Sequence, residues 1–142
     1  MLTAVLDTNV LASGTVNATN SPGQILNAWR AGQFELVTSA HIIDELTRTF
    51  QKPYFKNHLS SDAFGNFIDL LKNEAFVTPI TVKIQDVATH PEDDSTIAAA
   101  MSAKAEYLVT RDQPLLNKVG SSYQGVTFVN PNDFLKVLQQ TS

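Results

Sequence analysis

Two short apolar runs in this chain end in acids. Leu2-Thr3-Ala4-Val5-Leu6 leads into Asp7-Thr8-Asn9, and Tyr107-Leu108-Val109-Thr110 leads into Arg111-Asp112. An acid placed directly after a buried strand stands where the chain leaves the sheet, and open α/β sheets hold their ligands at that edge. If the two runs are parallel neighbours, Asp7 and Asp112 emerge side by side. Paired carboxylates of this kind suit a hard cation rather than a bare anion.

Two further acids can reach the same edge. Glu45 lies in Ser39-Ala40-His41-Ile42-Ile43-Asp44-Glu45-Leu46-Thr47-Arg48-Thr49-Phe50. At about 100° per residue, Ile42, Ile43, Leu46 and Phe50 share a face, and Glu45 falls at its margin while Asp44 points to solvent. Asp94 lies in Thr89-His90-Pro91-Glu92-Asp93-Asp94-Ser95-Thr96-Ile97-Ala98-Ala99-Ala100-Met101, on the stripe of Ile97, Ala98 and Met101. Each acid also has an ordinary role available. Asp7 can cap a following helix, Glu45 can be a solvated surface acid, and Asp112 in Asp-x-Pro can start a turn. Asp93 and Asp94 can complement a helix dipole, Asp93 can cap, and Thr89 with Glu92 has the form of a capping box. Periodicity alone does not choose between Asp93 and Asp94. Four acids from four segments arriving at one sheet edge make coincidence the poorer account.

The donor set is oxygen only. His41, His58 and His90 are scattered without ligand spacing, and there is no cysteine, which excludes disulfides and thiolate metal sites. Carboxylates alone favour Mg²⁺ or Mn²⁺ over zinc. Such ions activate a water and stabilise charge on an attacked phosphate, which points to phosphodiester hydrolysis with the acids as ligands. Thr8 and Asn9 can orient Asp7, and Thr110 can supply a supporting hydroxyl. Arg111, with Lys104 and Lys118, is a candidate phosphate contact. The chain has no Gly-rich phosphate loop, nucleophile elbow or cysteine nucleophile.

The elements that must position these residues follow from patterning. Strands are expected at 2–6, 34–37, about 80–84, 107–109 and 126–129, with helices at about 22–32, 40–51, 60–74, 94–104 and 131–139. Gly32 suits a helix C-cap, Gly65 weakens a helix, and Pro131 marks a helix start. Strands alternating with helices imply an α/β domain whose parallel sheet is covered on both faces. The stretch 39–74 reads as a small helical insertion beside the sheet. Trp29, with Ile25 and Leu26, reads as core or subunit interface.

At 142 residues, 43% hydrophobic and 17% charged, the chain is expected to form a single domain over 1–142. It has no apolar run near the ~18 residues of a membrane span and no basic n-region, so the expectation is a cytoplasmic protein without membrane association. The net charge is −4 and the pI about 5.2. That balance speaks against bulk electrostatic capture of nucleic acid. It does not exclude a nuclease, because clustered carboxylates themselves lower the pI and a bound cation reverses the local sign.

These residues resemble the PIN-domain family. The resemblance is carried by Val5-Leu6-Asp7-Thr8-Asn9-Val10-Leu11, the helix with Asp44-Glu45-Leu46, Pro91-Glu92-Asp93-Asp94 and Tyr107-Leu108-Val109-Thr110-Arg111-Asp112. It extends through Gly125-Val126 and Val129-Asn130-Pro131-Asn132-Asp133-Phe134-Leu135. Within the family the chain is similar to VapC ribonucleases, the toxins of type II toxin–antitoxin pairs. The resemblance implies a Rossmann-like domain with about five parallel strands and a Mg²⁺- or Mn²⁺-dependent ribonuclease. It maps the acidic quartet, as metal ligands and catalytic residues, onto Asp7, Glu45, Asp94 and Asp112, choosing Asp94 over Asp93 and leaving Thr8, Asn9, Asp93 and Thr110 in support. It also implies an RNA substrate, a small antitoxin partner and a homodimer or higher oligomer. Two positions depart from the pattern, both in the direction of weaker metal binding: His90 where many relatives carry Asp, and Pro114 where an acid is frequent.

Two other readings compete with the nuclease. One is a PIN-like module that binds RNA or protein with weak or no nuclease activity, in keeping with the net acidity and the two departures. The other is phosphoryl transfer with Asp7 as nucleophile, against which Asn9 stands where a D-x-D pair would place an acid.

Overall fold

Ala4, Val5 and Leu6 are wholly inaccessible to solvent. A strand apolar on both faces belongs in the middle of a covered sheet, and that is where it lies. A computed structural model describes residues 1–83, 91–113, 115–116 and 122–141, with the backbone alone at 91–93 and 141. Among the described residues six strands form one sheet: β1 (Thr3–Leu6), β2 (Glu35–Thr38), β3 (Phe76–Val77), β4 (Tyr107–Val109), β5 (Ser122–Tyr123) and β6 (Val126–Val129). Their order is β3-β2-β1-β4-β6-β5. All pairings are parallel except the short edge strand β5, which runs antiparallel to β6.

Helices cover the sheet: α1 (Thr8–Val16), α2 (Ser21–Arg30), α3 (Ala40–Phe50), α4 (Pro53–His58), α5 (Ser61–Glu74), α6 (Pro91–Ser102) and α7 (Pro131–Thr141). The expected α/β fold with a mostly parallel sheet is present. Pro131 opens α7 as expected, and Gly32 follows the end of α2 at φ +78°, a conformation that favours glycine. The helical stretch at 39–74 resolves into α3, α4 and α5. Phe50 joins them, its ring 5.9 Å from Phe55, 5.7 Å from Phe64 and 6.5 Å from Phe67. Trp29 belongs to the core with Ile25 and Leu26.

Some elements differ from expectation. The third strand is Phe76–Val77, not about 80–84. Val37 pairs with Phe76 and Thr38 with Val77, and the ladder closes at Thr78 N–H donating to Thr38 O at 2.9 Å. Pro79 then turns the chain away. The amides of Thr81 and Val82 donate to Ser102 Oγ at 2.9 and 3.2 Å instead of to a neighbouring strand, and Ile80 is 50% exposed. Ile84 lies outside the described residues. Helices α1 and α4 and strand β5 are additional to those expected. Helix α1 follows β1 after a single residue, and its Thr, Ser, Gly and Val content gives weak helical propensity.

The topology has a switch point. From β1 the sheet extends through β2 on one side and through β4 on the other, which opens a crevice at the C-terminal ends of β1 and β4. Leu6 is in register with Val109, so the next residues out of the sheet, Asp7 and Thr110, face one another.

Candidate active site

Asp7 is 5% exposed and performs two tasks at once. Its Oδ1 accepts from Val10 N–H at 3.0 Å, capping α1. Its Oδ2 accepts from the Thr110 hydroxyl. Thr110 Oγ1 accepts in turn from Asp112 N–H at 3.0 Å, so its single proton is directed at Asp7. The backbone completes the frame, with Asp7 N–H donating to Val109 O at 3.0 Å. Asp112 follows the same plan as Asp7, its Oδ1 accepting from Leu115 N–H at 3.3 Å. The capping and turn roles open to these two acids are therefore filled, beside whatever else they do.

The electrostatics of Asp7 are unusual. Its pKa is raised from the ordinary 3.8 to about 6, chiefly by burial. The hydrogen bonds from Thr110 and Val10 pull it down, while the charges of Asp112 and Glu45 push it up. Two of the other three expected acids thus act on Asp7 at the end of β1. Asp94 is 8% exposed, near the start of α6, which packs across β1, β2, β4 and α3. Asp93 occupies the same turn, with its side chain outside the described residues. Thr8 is buried, and among the described residues neither its hydroxyl nor the buried Glu45 Oε2 has a hydrogen-bond partner. His90, Pro114, Thr89 and Lys118 lie outside the described residues.

These observations bear on a divalent cation. A buried carboxylate oxygen with no donor among the described residues, and a buried acid whose ionisation is resisted chiefly by burial and further by two like charges, make a pocket short of positive charge. The donors are all oxygen, as Mg²⁺ and Mn²⁺ prefer. Among the described residues, no group of three or more His, Asp or Glu side chains forms a ready-made metal cage. The donor chemistry fits the ion.

Beside these acids opens a cleft of about 670 Å³, lined among others by Asn9, Ser13, Asn17, Tyr54, Arg111 and Asp112. Arg111 is exposed and its Nη1 donates to Ser13 Oγ at 3.0 Å. Ser13 and Tyr54 were not among the expected site residues. The spacing of Asn9, Ser13 and Asn17 at i, i+4 and i+8 is a polar helical stripe, legible only once 8–16 is known to be helix.

The PIN domain family profile matches residues 3–114. The chain belongs to the PIN-domain family. PIN domains are typically nucleases that use divalent metals such as Mg²⁺. The matched span includes all four acids and β1 to β4. No curated protein matches the chain. Among solved structures, the fold is similar to the crystal structure of PAE2754 from Pyrobaculum aerophilum, with a TM-score of 0.64 and 17% identity over 98% of this chain and 90% of that one. At that identity the likeness speaks for the fold of this PIN domain alone.

Proposed function

We propose that this PIN domain is a Mg²⁺- or Mn²⁺-dependent endoribonuclease, the toxin of a type II toxin–antitoxin pair. The observation that carries the reading is the Asp7 carboxylate buried at the switch point, its pKa raised chiefly by that burial and further by the charges of Asp112 and Glu45, with Glu45 Oε2 without a hydrogen bond among the described residues. Asp7, Glu45, Asp94 and Asp112 would hold the ion. The ion would supply an activated water and charge stabilisation at the phosphate. Thr110 orients Asp7 and ties it to the backbone of Asp112, so two of the ligands are positioned together. Thr8, Asn9 and Asp93 would support these ligands. Arg111, which lines the cleft and donates to Ser13 Oγ, would meet a phosphate of the RNA. A small antitoxin that covers the acids, a homodimer or higher oligomer, and a cytoplasmic setting complete the reading. Among the described residues no helix is long and apolar enough to cross a membrane.

Purified protein is expected to cleave single-stranded RNA with Mg²⁺ or Mn²⁺ and to stop in EDTA. Asp7→Asn is expected to lower the rate by two orders of magnitude or more. Equal cleavage by the variant would remove the acids from the chemistry. A second reading has support of its own. Asp7 and Asp112 already accept backbone N–H groups in capping and turn roles, as a PIN-like binding module with weak or no nuclease activity would have it. RNA binding that survives Asp94→Asn, without metal-dependent turnover, would favour that module.

A further inference from the structure

Resting on the reading of the acidic pocket as an RNA-cleaving site, we propose that Tyr54 is a base-stacking platform for single-stranded RNA entering the cleft between α1 and α4. The cleft joins Asp112 and Asn9 at the acids to Tyr54 and Phe55 on α4. Tyr54 is 57% exposed, and a single exposed aromatic ring is unremarkable by itself. This ring is held in place. Pro53 opens α4. The His58 ring stacks on Tyr54 at 4.4 Å and 26°, and its Nδ1 is hydrogen-bonded to Tyr54 O at 2.7 Å. Phe55 meets Tyr54 edge-on at 5.1 Å and is anchored on Phe50. A ring whose freedom is already spent loses little more on meeting a base.

The rest of the cleft suits the same ligand. Asn9 offers an amide donor and acceptor to base edges, and Asn17 its Nδ2 donor, its Oδ1 already accepting from the Thr19 N–H and hydroxyl at 2.9 and 2.8 Å. Arg111 offers a planar cation pinned by Ser13 Oγ, which also accepts from Asn20 Nδ2 at 3.1 Å. With a net charge of −4, backbone attraction alone is a weak source of affinity, so stacking carries a large share.

The test is binding of a fluorescent single-stranded RNA oligonucleotide in Ca²⁺, using the intact chain. A parallel set of oligonucleotides carries one abasic position each. Tyr54→Ala is expected to weaken binding about 5- to 100-fold, and Tyr54→Phe to retain it. One abasic position should weaken wild-type binding by a similar factor and leave Tyr54→Ala binding unchanged, a coupling that a structural role for the ring would not produce. Tyr54→Ala binding as tightly as wild type, or abasic penalties identical in both proteins, would overturn the platform. If that happens while wild type still cleaves RNA in Mg²⁺, the nuclease reading stands without it. If wild type neither binds nor cleaves, both fall.

Discussion

Asp7 shows how one residue serves fold and site through different atoms. Oδ1 caps α1 and Oδ2 meets Thr110, and the carboxylate pays for this placement with a pKa near 6. Because the folded-state value lies above the unfolded 3.8, the native state holds an extra proton between the two. Stability from this group is therefore complete below pH 3.8 and is lost as pH rises through about 6. The size is up to about 3 kcal/mol. Asp7→Asn keeps the shape and an oxygen for the cap but cannot ionise. In EDTA at pH 7.5 it is expected to be more stable than wild type by about 1–3 kcal/mol, and to flatten the fall in stability between pH 4 and 6. Urea denaturation at a series of pH values checks both, and an Asn variant that is less stable at pH 7.5 would contradict the placement. Asp7 and Asp112 stand out in the sequence because each follows an apolar run, whereas Glu45 shows only as the margin of a helical face and Asp94 is chosen over Asp93 by the family resemblance. Thr110 is legible as the end of the second run. Ser13 and Tyr54 are not, since what makes them cleft residues is a neighbour far away along the chain.

At the scale of elements, the helices of 40–74 depend on Phe50, which is 1% exposed and meets three other rings. Phe50→Ala should lower stability by about 3–5 kcal/mol, and limited proteolysis should then cut first around α4. Two glycines differ in kind. A Cβ at Gly23 would lie 2.1 Å from Asn17 O and 2.6 Å from Ala18 C, so α2 meets the preceding loop through a bare backbone. At Gly65, inside α5, nothing lies within 4 Å. Gly23→Ala is expected to lower the melting temperature by several degrees, and Gly65→Ala to raise stability by about 0.5–1 kcal/mol. Differential scanning calorimetry on the pair decides. The same physics explains which elements could be read in advance. The central strands announce themselves as continuous apolar runs. Helix α1 does not, because Asp7 serves as strand end and helix cap with no loop between, and its residues are poor helix formers. Residues 80–83 alternate apolar and polar without being strand, and the amides of Thr81 and Val82 meet Ser102 Oγ instead of a neighbouring strand.

At the scale of the molecule, the fold brings two chain ends of parallel strands together at the switch point and opens a cleft beside them. The parallel sheet was legible from alternation alone, whereas the strand order, on which the meeting of Asp7 and Thr110 depends, follows from packing that patterning does not encode. Net charge sets a further expectation. With Arg111 as the cation placed in the cleft, RNA affinity should fall with salt at a logarithmic slope of only about 1. A slope of 4 or more, measured by titration between 50 and 200 mM salt, would mean a basic surface elsewhere carries the binding. The central claim is that the acids at the end of β1 await a divalent cation. Its most direct measurement is the melting temperature of wild type and Asp7→Asn in EDTA and in Mn²⁺. Ion at about one hundred times its dissociation constant should stabilise wild type by about 2.7 kcal/mol, a rise of several degrees, and leave Asp7→Asn unmoved. A wild-type melting temperature indifferent to Mn²⁺ and Mg²⁺, or an equal rise in the variant, would contradict it.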